Sequence, residues 1–253
     1  MSESPSDPFI SVRGLHKSIG QQEILRGIDL DLRRGETLVI IGPSGEGKTV
    51  FMKHIIGLLK PDAGTVHVDG ILVNGLRERQ LAPVRQRVSM LFQNAALFDS
   101  LTVEQNVAFP LVEAGLRDRK EMAERVREAL DVVGLGEHAK KLPVNLSGGM
   151  RKRAGIARAI VGRAKCILYD EPTASLDPVV SDVIDTLILR LQERFAITSL
   201  VVTHDMKSLF KIADRVAMLK SGVIHFLGTK EDLLACPDEN VQDFIAGRAK
   251  VTF

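Results

Sequence analysis

Eight residues, Gly42-Pro43-Ser44-Gly45-Glu46-Gly47-Lys48-Thr49, satisfy the spacing G-x-x-x-x-G-K-[ST]. Each fixed position has a chemical purpose. Glycines leave backbone N–H groups open to phosphate oxygens, the lysine reaches the β- and γ-phosphates, and the hydroxyl ligates Mg²⁺. Lys48 and Thr49 are the residues that would do so, with Val50 next in the same turn. Such a loop must leave a buried strand and open a helix, whose N-terminus adds its partial positive charge at the same anion. Both are present. Thr37-Leu38-Val39-Ile40-Ile41 is the continuous apolar run of a strand covered on both faces. Lys48 to Leu59 then sets Phe51, Ile55 and Leu58 or Leu59 on one side of a helix, which Pro61-Asp62-Ala63-Gly64 is expected to end.

Three further segments carry reactive side chains. Cys166-Ile167-Leu168-Tyr169 is an apolar run ending in Asp170-Glu171. Carboxylates there are costly unless a cation or a substrate proton uses them. Asp170 suits a Mg²⁺ ligand, direct or through water, and Glu171 a general base on an attacking water. Ser199-Leu200-Val201-Val202 is a second such strand, followed at once by Thr203-His204-Asp205. A histidine at the C-terminal edge of a parallel strand faces the ligand crevice, within reach of a γ-phosphate or its attacking water. Leu146-Ser147-Gly148-Gly149-Met150 opens a helix running through Arg151, Arg153, Ala157 and Ile160. Read alone, it is either a second phosphate-binding helix start or an ordinary serine N-cap with flexible glycines. Arg151, Lys152, Arg153 and Arg158 are expected to form, for the most part, a solvated face.

The elements that must hold these groups follow from periodicity. Phe9 to Gly42 reads as strands, with Ile28, Leu30 and Leu32 alternating against Asp29, Asp31 and Arg33. From about Ala95 to Ala164 the pattern is helical, and Met122, Val126, Leu130 and Val133 make one apolar stripe. Strand and helix alternate again from Lys165, with a helix over Val179 to Phe195. Alternation of that kind implies a mostly parallel sheet covered by helices, hence an α/β fold. Residues 1–8 read as disordered and residues 9–253 as one domain with the helical stretch, about 95–164, inserted.

Composition narrows the partners. Lys and Arg number 34 against 32 Asp and Glu, a net charge of +2 that gives no basis for nucleic-acid or anionic-membrane binding. No apolar run approaches the roughly 18 residues that cross a bilayer, and Met1 to Pro8 lacks the basic-then-apolar order of a signal peptide. Two cysteines, Cys166 and Cys236, read as reduced thiols, so the expected compartment is the cytosol or a surface facing it.

Together these segments resemble the nucleotide-binding subunits of ABC transporters over nearly the whole chain. In that resemblance residues 42–49 are the Walker A motif, Leu146–Met150 the ABC signature, and Ile167–Glu171 Walker B with its catalytic glutamate. Ser175-Leu176-Asp177-Pro178 is similar to the D-loop, His204 to the switch histidine and Gln93 to the Q-loop glutamine. It implies a P-loop NTPase fold, a RecA-like mixed sheet flanked by helices, with an inserted helical subdomain and an N-terminal antiparallel β region. ATP and Mg²⁺ are the implied cofactors, with Thr49, Gln93 and Asp170 at the metal and Glu171, His204 and Gln93 in catalysis. A head-to-tail pair of copies is implied as well. Ser147, Gly148, Gly149, Met150 and Asp177 of one copy would then meet the ATP held by the other copy's Lys48 loop. Two positions depart from the family pattern. Ile19 stands where an aromatic residue usually stacks on adenine, which weakens the expected discrimination of ATP from GTP. Met150 replaces the commoner glutamine of the signature, and hydrolysis is expected to survive that change.

Within the family, Asn94–Val103, Glu104–Leu111, Leu146–Arg153 and Val241–Gly247 are similar to the MlaF-type ATPases of MCE phospholipid transport systems. That resemblance implies an integral membrane permease, an MCE lipid-binding protein and a small STAS-domain protein as partners, at the cytoplasmic face of the inner membrane. The stretch Ala95–Leu101 is either a contact surface for such a partner or packing between the helical insertion and the core. The ATPase of a polar amino-acid or other solute transporter would share the same motifs. A soluble ABC ATPase typically carries two cassettes or a long coiled coil, and a non-catalytic nucleotide binder would not need Glu171 and His204.

Overall fold

Alternating apolar residues give the first two strands one buried face each. β1 (Ile10–Ile19) and β2 (Gln22–Leu32) pair antiparallel, with Val12 opposite Leu30. The computed structural model describes residues 7–248, so the disorder expected over 1–8 lies, for residues 1–6, outside the described residues; Asp7 and Pro8 carry no regular structure. β3 (Thr37–Ile41) is buried at all five positions, as its unbroken apolar run requires, and leads through the glycine loop into α1 (Lys48–Ile55). α1 is shorter than the expected 48–59. Ile56 caps it and Gly57, at φ 69°, turns the chain away, so Pro61–Gly64 leads instead into β4 (Ala63–Val68). β5 (Ile71–Leu72), α2 (Ala82–Arg87) and β6 (Val88–Leu91) follow.

Three capped helices come between β6 and the next strand. Thr102 caps α3 (Val103–Glu113), Asp118 caps α4 (Arg119–Val132) and Ser147 caps α5 (Gly148–Ile160). The apolar stripe of α4 buries Val126 and Leu130, with Met122 half-buried. β7 (Cys166–Asp170) then alternates with α6 (Pro178–Phe195), β8 (Thr198–Val202) and α7 (Met206–Ile212). β9 (Arg215–Lys220), β10 (Val223–Gly228), α8 (Lys230–Ala235) and α9 (Glu239–Ile245) finish the described chain. Cys166 and Cys236 are free thiols.

The strands form two sheets. One is antiparallel, in the order β2-β1-β4-β5; the other runs β10-β9-β3-β8-β7-β6, parallel except for its β10 edge. Opposite faces of the parallel sheet feed separate cores. Val39, Ile41, Ile167 and Tyr169 face the helices, while Leu38, Ile40, Cys166 and Leu168 face α1 and the antiparallel sheet. Each such aliphatic side chain contributes about 1.5–3 kcal/mol by leaving water, so both cores hold the sheet in place between them.

One polar contact joins α6 to α7 inside this packing. Ser208 Oγ donates to Asp185 Oδ2 at 2.8 Å, while Asp185 Oδ1 is buried without a partner. Burial pushes the Asp185 carboxyl up from 3.8 to about 6, against the Ser208 bond and Lys211, with Asp205 and Asp182 adding to the rise. The folded state therefore binds this proton more tightly than the unfolded chain, and its stability falls as pH rises from about 4 through 6. Asp185→Asn, neutral at every pH, is expected to be more stable than the parent at pH 8 by up to about 3 kcal/mol. The gain should shrink to about 1 kcal/mol at pH 4.5 and vanish only below the unfolded value of 3.8. Denaturant melts at the two pH values check this, and an equal gain at both would show that charge is not the cause.

Candidate active site

Parallel pairing sets the C-terminal ends of β3, β8, β7 and β6 side by side on one edge. From β3 the chain turns at Gly42 and Gly47, where no other residue fits. A Cβ on Gly42 (φ 144°) would lie 2.0 Å from the Leu219 carbonyl oxygen, and one on Gly47 (φ 92°) 2.6 Å from Ile24 Cγ2. The loop thus lies tight against β9 and β2. A side chain of Ser, Thr or Asp caps each of α3 to α9, but none caps α1, whose first turn also has no acidic residue. The N-terminal end of α1 is therefore free of a competing acceptor, as an anion site needs. Lys48 folds back over the loop, donating to the carbonyls of Gly42 (2.8 Å) and Pro43 (2.7 Å). Burial lowers its pKa, while Glu171, Glu46 and Asp170 oppose that shift.

Thr49 Oγ1 lies 3.1 Å from both carboxylate oxygens of Asp170, so a hydroxyl from α1 and a carboxylate from β7 converge. Burial holds Asp170 above the usual carboxylate range; the Thr49 bond opposes this and Glu171 adds to it. Oxygen donors of this type suit Mg²⁺. Glu171 has a left-handed backbone (φ 50°) fixed by its N–H donating to the Val202 carbonyl at 2.9 Å. His204 Nδ1 stands 2.8 Å from Glu171 Oε2, yet the two are not aligned as a hydrogen bond, and Oε2 is buried without one. Gln93 follows β6, and with Lys48, Thr49, Asp170, Glu171 and His204 it lines a cleft of about 410 Å³. A larger apolar cavity of about 630 Å³ lies at the other edge of the sheet, beside Gly35, Lys165 and Thr198, away from all of these groups. Ligands of such sheets sit at the C-terminal edge, so chemistry outweighs size here.

Ser44, Gly45, Gly47 and Val50 line the cleft as well, whereas Ile19 and the residues expected to meet a second copy's ATP do not. Ser147 is exposed, its Oγ accepting from the Met150 N–H at 3.3 Å, and Met150 packs its side chain partly into the core. Asp177 caps α6, accepting from the N–H groups of Val179 and Val180 at 3.0 Å. Gly149 lets the start of α5 rest on α6, since a Cβ there would lie 2.3 Å from Val180 Cγ1; Gly148 sits next to it against Leu176. Ile19 is exposed at the β1–β2 turn and does not line the cleft, whereas Ile24 and Val202 do.

The basic residues of α5 depart in part from the expected solvated face: Arg151 is exposed, but Arg153 and Arg158 are half-buried, Lys152 is buried, and all four are tied to carbonyls. Arg151 donates to the Leu146 carbonyl, Arg153 to Val133 and Gly134, and Arg158 to Ala95 and Ala96. Lys152 is buried and donates to Gln93 and Glu171. Loop and helix-end carbonyls often lack a backbone donor, and these cations supply donors to them. Asn106, which no local pattern singles out, does the same for the segment after Gln93. It accepts from the Phe98 N–H at 2.7 Å and donates to the carbonyls of Phe98, Leu101 and Thr102 at 3.0 Å. Within that segment Ala95 is buried and Leu97 packs on the core, but Phe98 is 44% exposed and lies against Phe109 at 4.8 Å.

A phosphate loop, a hydroxyl–carboxylate pair and a glutamate beside a histidine define an ATP-hydrolysing cassette. The ABC transporter family model matches residues 25–174, and the chain belongs to that family. It is 40% identical over 244 residues to the probable ribonucleotide transport ATP-binding protein mkl of Mycobacterium leprae, covering 96% of this chain and 70% of that one. It is 38% identical over 236 residues to the methionine import ATP-binding protein MetN of Brucella abortus, covering 93% of this chain and 64% of that protein. Among solved structures it is similar to a dimeric ATP-binding cassette in a post-hydrolysis state with ADP and Pi. The TM-score is 0.80 at 32% identity, over 87% of this chain and 98% of that one. It is also similar to cbiO1 from Clostridium perfringens, part of the ABC transporter complex cbiONQ. There the TM-score is 0.83 at 29% identity, over 91% of this chain and 92% of that one. The chain is thus an ATPase that uses ATP with Mg²⁺. No helix among the described residues is long and apolar enough to cross a membrane.

Gly149→Ala forces a methyl into stiff, β-branched Val180. It is expected to cost about 1–3 kcal/mol of stability, and Val180→Ala added to it should recover most of that loss. Thermal melts of the single and double variants check the contact.

Proposed function

We propose that this ABC transporter ATPase works as a head-to-tail pair of copies that powers phospholipid movement through a separate integral permease. One observation carries the pairing: the cleft holds Lys48, Thr49, Asp170, Glu171, His204 and Gln93 but none of Ser147, Gly148, Gly149, Met150 or Asp177. The signature residues then meet the nucleotide of a second copy. In each site Thr49 and Asp170 hold Mg²⁺ together with Gln93, and Lys48 and the α1 N-terminus hold the phosphates. Glu171 takes the proton of the attacking water, and His204, beside it, contacts the γ-phosphate. Glu171 Oε2 is buried with His204 Nδ1 at 2.8 Å, which sets the base directly beside the histidine. General-base catalysis contributes about 10²–10⁴ in rate.

The cargo reading rests on residues 94–111, 146–153 and 241–247, which are similar to MlaF-type ATPases. It brings with it an MCE lipid-binding protein, a STAS-domain protein and a position at the cytoplasmic face of the inner membrane. The part-exposed Phe98–Phe109 pair is a surface suited to the permease. A second reading, import of a polar solute, is favoured by the names of the relatives, which refer to ribonucleotide transport and methionine import.

Glu171→Gln is expected to bind ATP while hydrolysis falls by at least about 10², and light scattering should show an ATP-dependent dimer. Normal turnover by that variant would remove Glu171 from the base role. The complex extracted from native membrane is expected to contain an integral permease and to carry phospholipid on mass spectrometry. A permease whose ATPase responds to an amino acid or nucleotide, and not to lipid, would select the second reading.

A further inference from the structure

We propose that Lys152 is a positioning residue that holds Gln93 and Glu171 in place and ties both to the start of its own helix. Its Nζ donates to the Glu171 carbonyl at 2.8 Å and to the Gln93 carbonyl. These two carbonyls belong to different loops, one leaving β7 and the other leaving β6. Lys152 is 6% exposed, and α5 presents Ala154, Gly155 and Ile156 to the same interior. An apolar residue would fill that space without desolvating an ammonium. A buried cation persists where its donors meet backbone acceptors; at the Glu171 carbonyl Lys152, at 2.8 Å, is nearer than the Ala174 N–H, which donates there at 3.3 Å.

The geometry at Glu171 shows what the contact does. A left-handed backbone at a non-glycine residue persists only when its surroundings over-determine it. The Glu171 N–H is fixed on Val202, and Lys152 fixes its carbonyl from the other side. Side-chain direction at Glu171 follows from that backbone, so Lys152 helps to aim the carboxylate. Through the Gln93 carbonyl it sets the start of the segment that Asn106 clamps from Phe98 to Thr102.

Lys152 lies five residues beyond Ser147 on a continuous helix, about 7.5 Å along its axis. A shift of the start of α5 is therefore passed to both carbonyls with no flexible joint between. This part rests on the reading that Ser147 and Gly149 meet a second copy's ATP. Each α5 then touches one nucleotide with its first residues and positions the base for the other through Lys152, which couples the two sites physically.

The test uses the full chain with three substitutions. Lys152→Met keeps length and burial but removes the donors, Lys152→Arg keeps donors, and Ser147→Ala weakens the signature contact. Lys152→Met is expected to lower kcat about 10- to 100-fold, in the range typical of lost second-layer contacts, with KM for ATP nearly unchanged. Lys152→Arg should recover most of kcat. In the double variant Ser147→Ala/Lys152→Met the losses should not multiply, because the two residues act through one helix. Unchanged kcat in Lys152→Met, or a matching rise in KM, would overturn the positioning role. Multiplicative losses, or a Ser147→Ala variant with unchanged kcat, would overturn the coupling. ATP-dependent dimerisation of Glu171→Gln, read separately by light scattering, shows whether the two-copy reading itself stands.

Discussion

The direction of the strands in the larger sheet decides where every reactive group goes. β3, β8, β7 and β6 run parallel, with Ile40 and Asp170 both in register with Val202, and Leu91 with Tyr169. Neighbouring strands lie about 4.8 Å apart. The loops after them therefore bring Gly42, His204, Glu171 and Gln93 onto one short edge, although they come from four separate parts of the sequence. The same arrangement desolvates them. Burial lowers the pKa of Lys48 and raises that of Asp170, so each charge is less stable there than in water. Charges placed this way gain from a ligand of opposite sign, and a nucleotide with Mg²⁺ supplies both signs.

The start of α5 lies away from that edge, and under the proposed two-copy arrangement this makes a complete-looking set of motifs half of each site. Gly149 seats the helix on Val180 of α6, and Asp177 fixes the start of α6. Both helix starts then present exposed polar residues to the outside of the chain. Cargo is a separate question with a separate location. Relatives with about 40% identity are named for ribonucleotide transport or methionine import.

Local patterns were the legible part of the sequence. The phosphate loop, the apolar strands ending in Asp170-Glu171 and Thr203-His204, and the helix after Pro178 all follow from neighbours a few residues apart, and the structure has each of them. What could not be read locally depends on distant partners. Arg151, Lys152, Arg153 and Arg158 look like a charged surface until the carbonyls they satisfy, up to 63 residues away, are brought to them. α1 ends early because Gly57 turns the chain at φ 69°, at a point where a Cβ would lie 2.4 Å from Leu81 Cδ2, a constraint invisible in the helical pattern. Ile24 enters the cleft wall in place of Ile19 because the β1–β2 turn carries Ile19 outward into solvent.

The central claim is that one chain holds half of each ATP site. Its most direct test is the ATPase rate of the purified chain as a function of its own concentration, at saturating ATP and Mg²⁺. A site completed by a second copy requires specific activity to rise in proportion to concentration at the dilute end and to level off as pairs saturate. Specific activity that stays constant through concentrations where sedimentation finds only monomer would contradict the account.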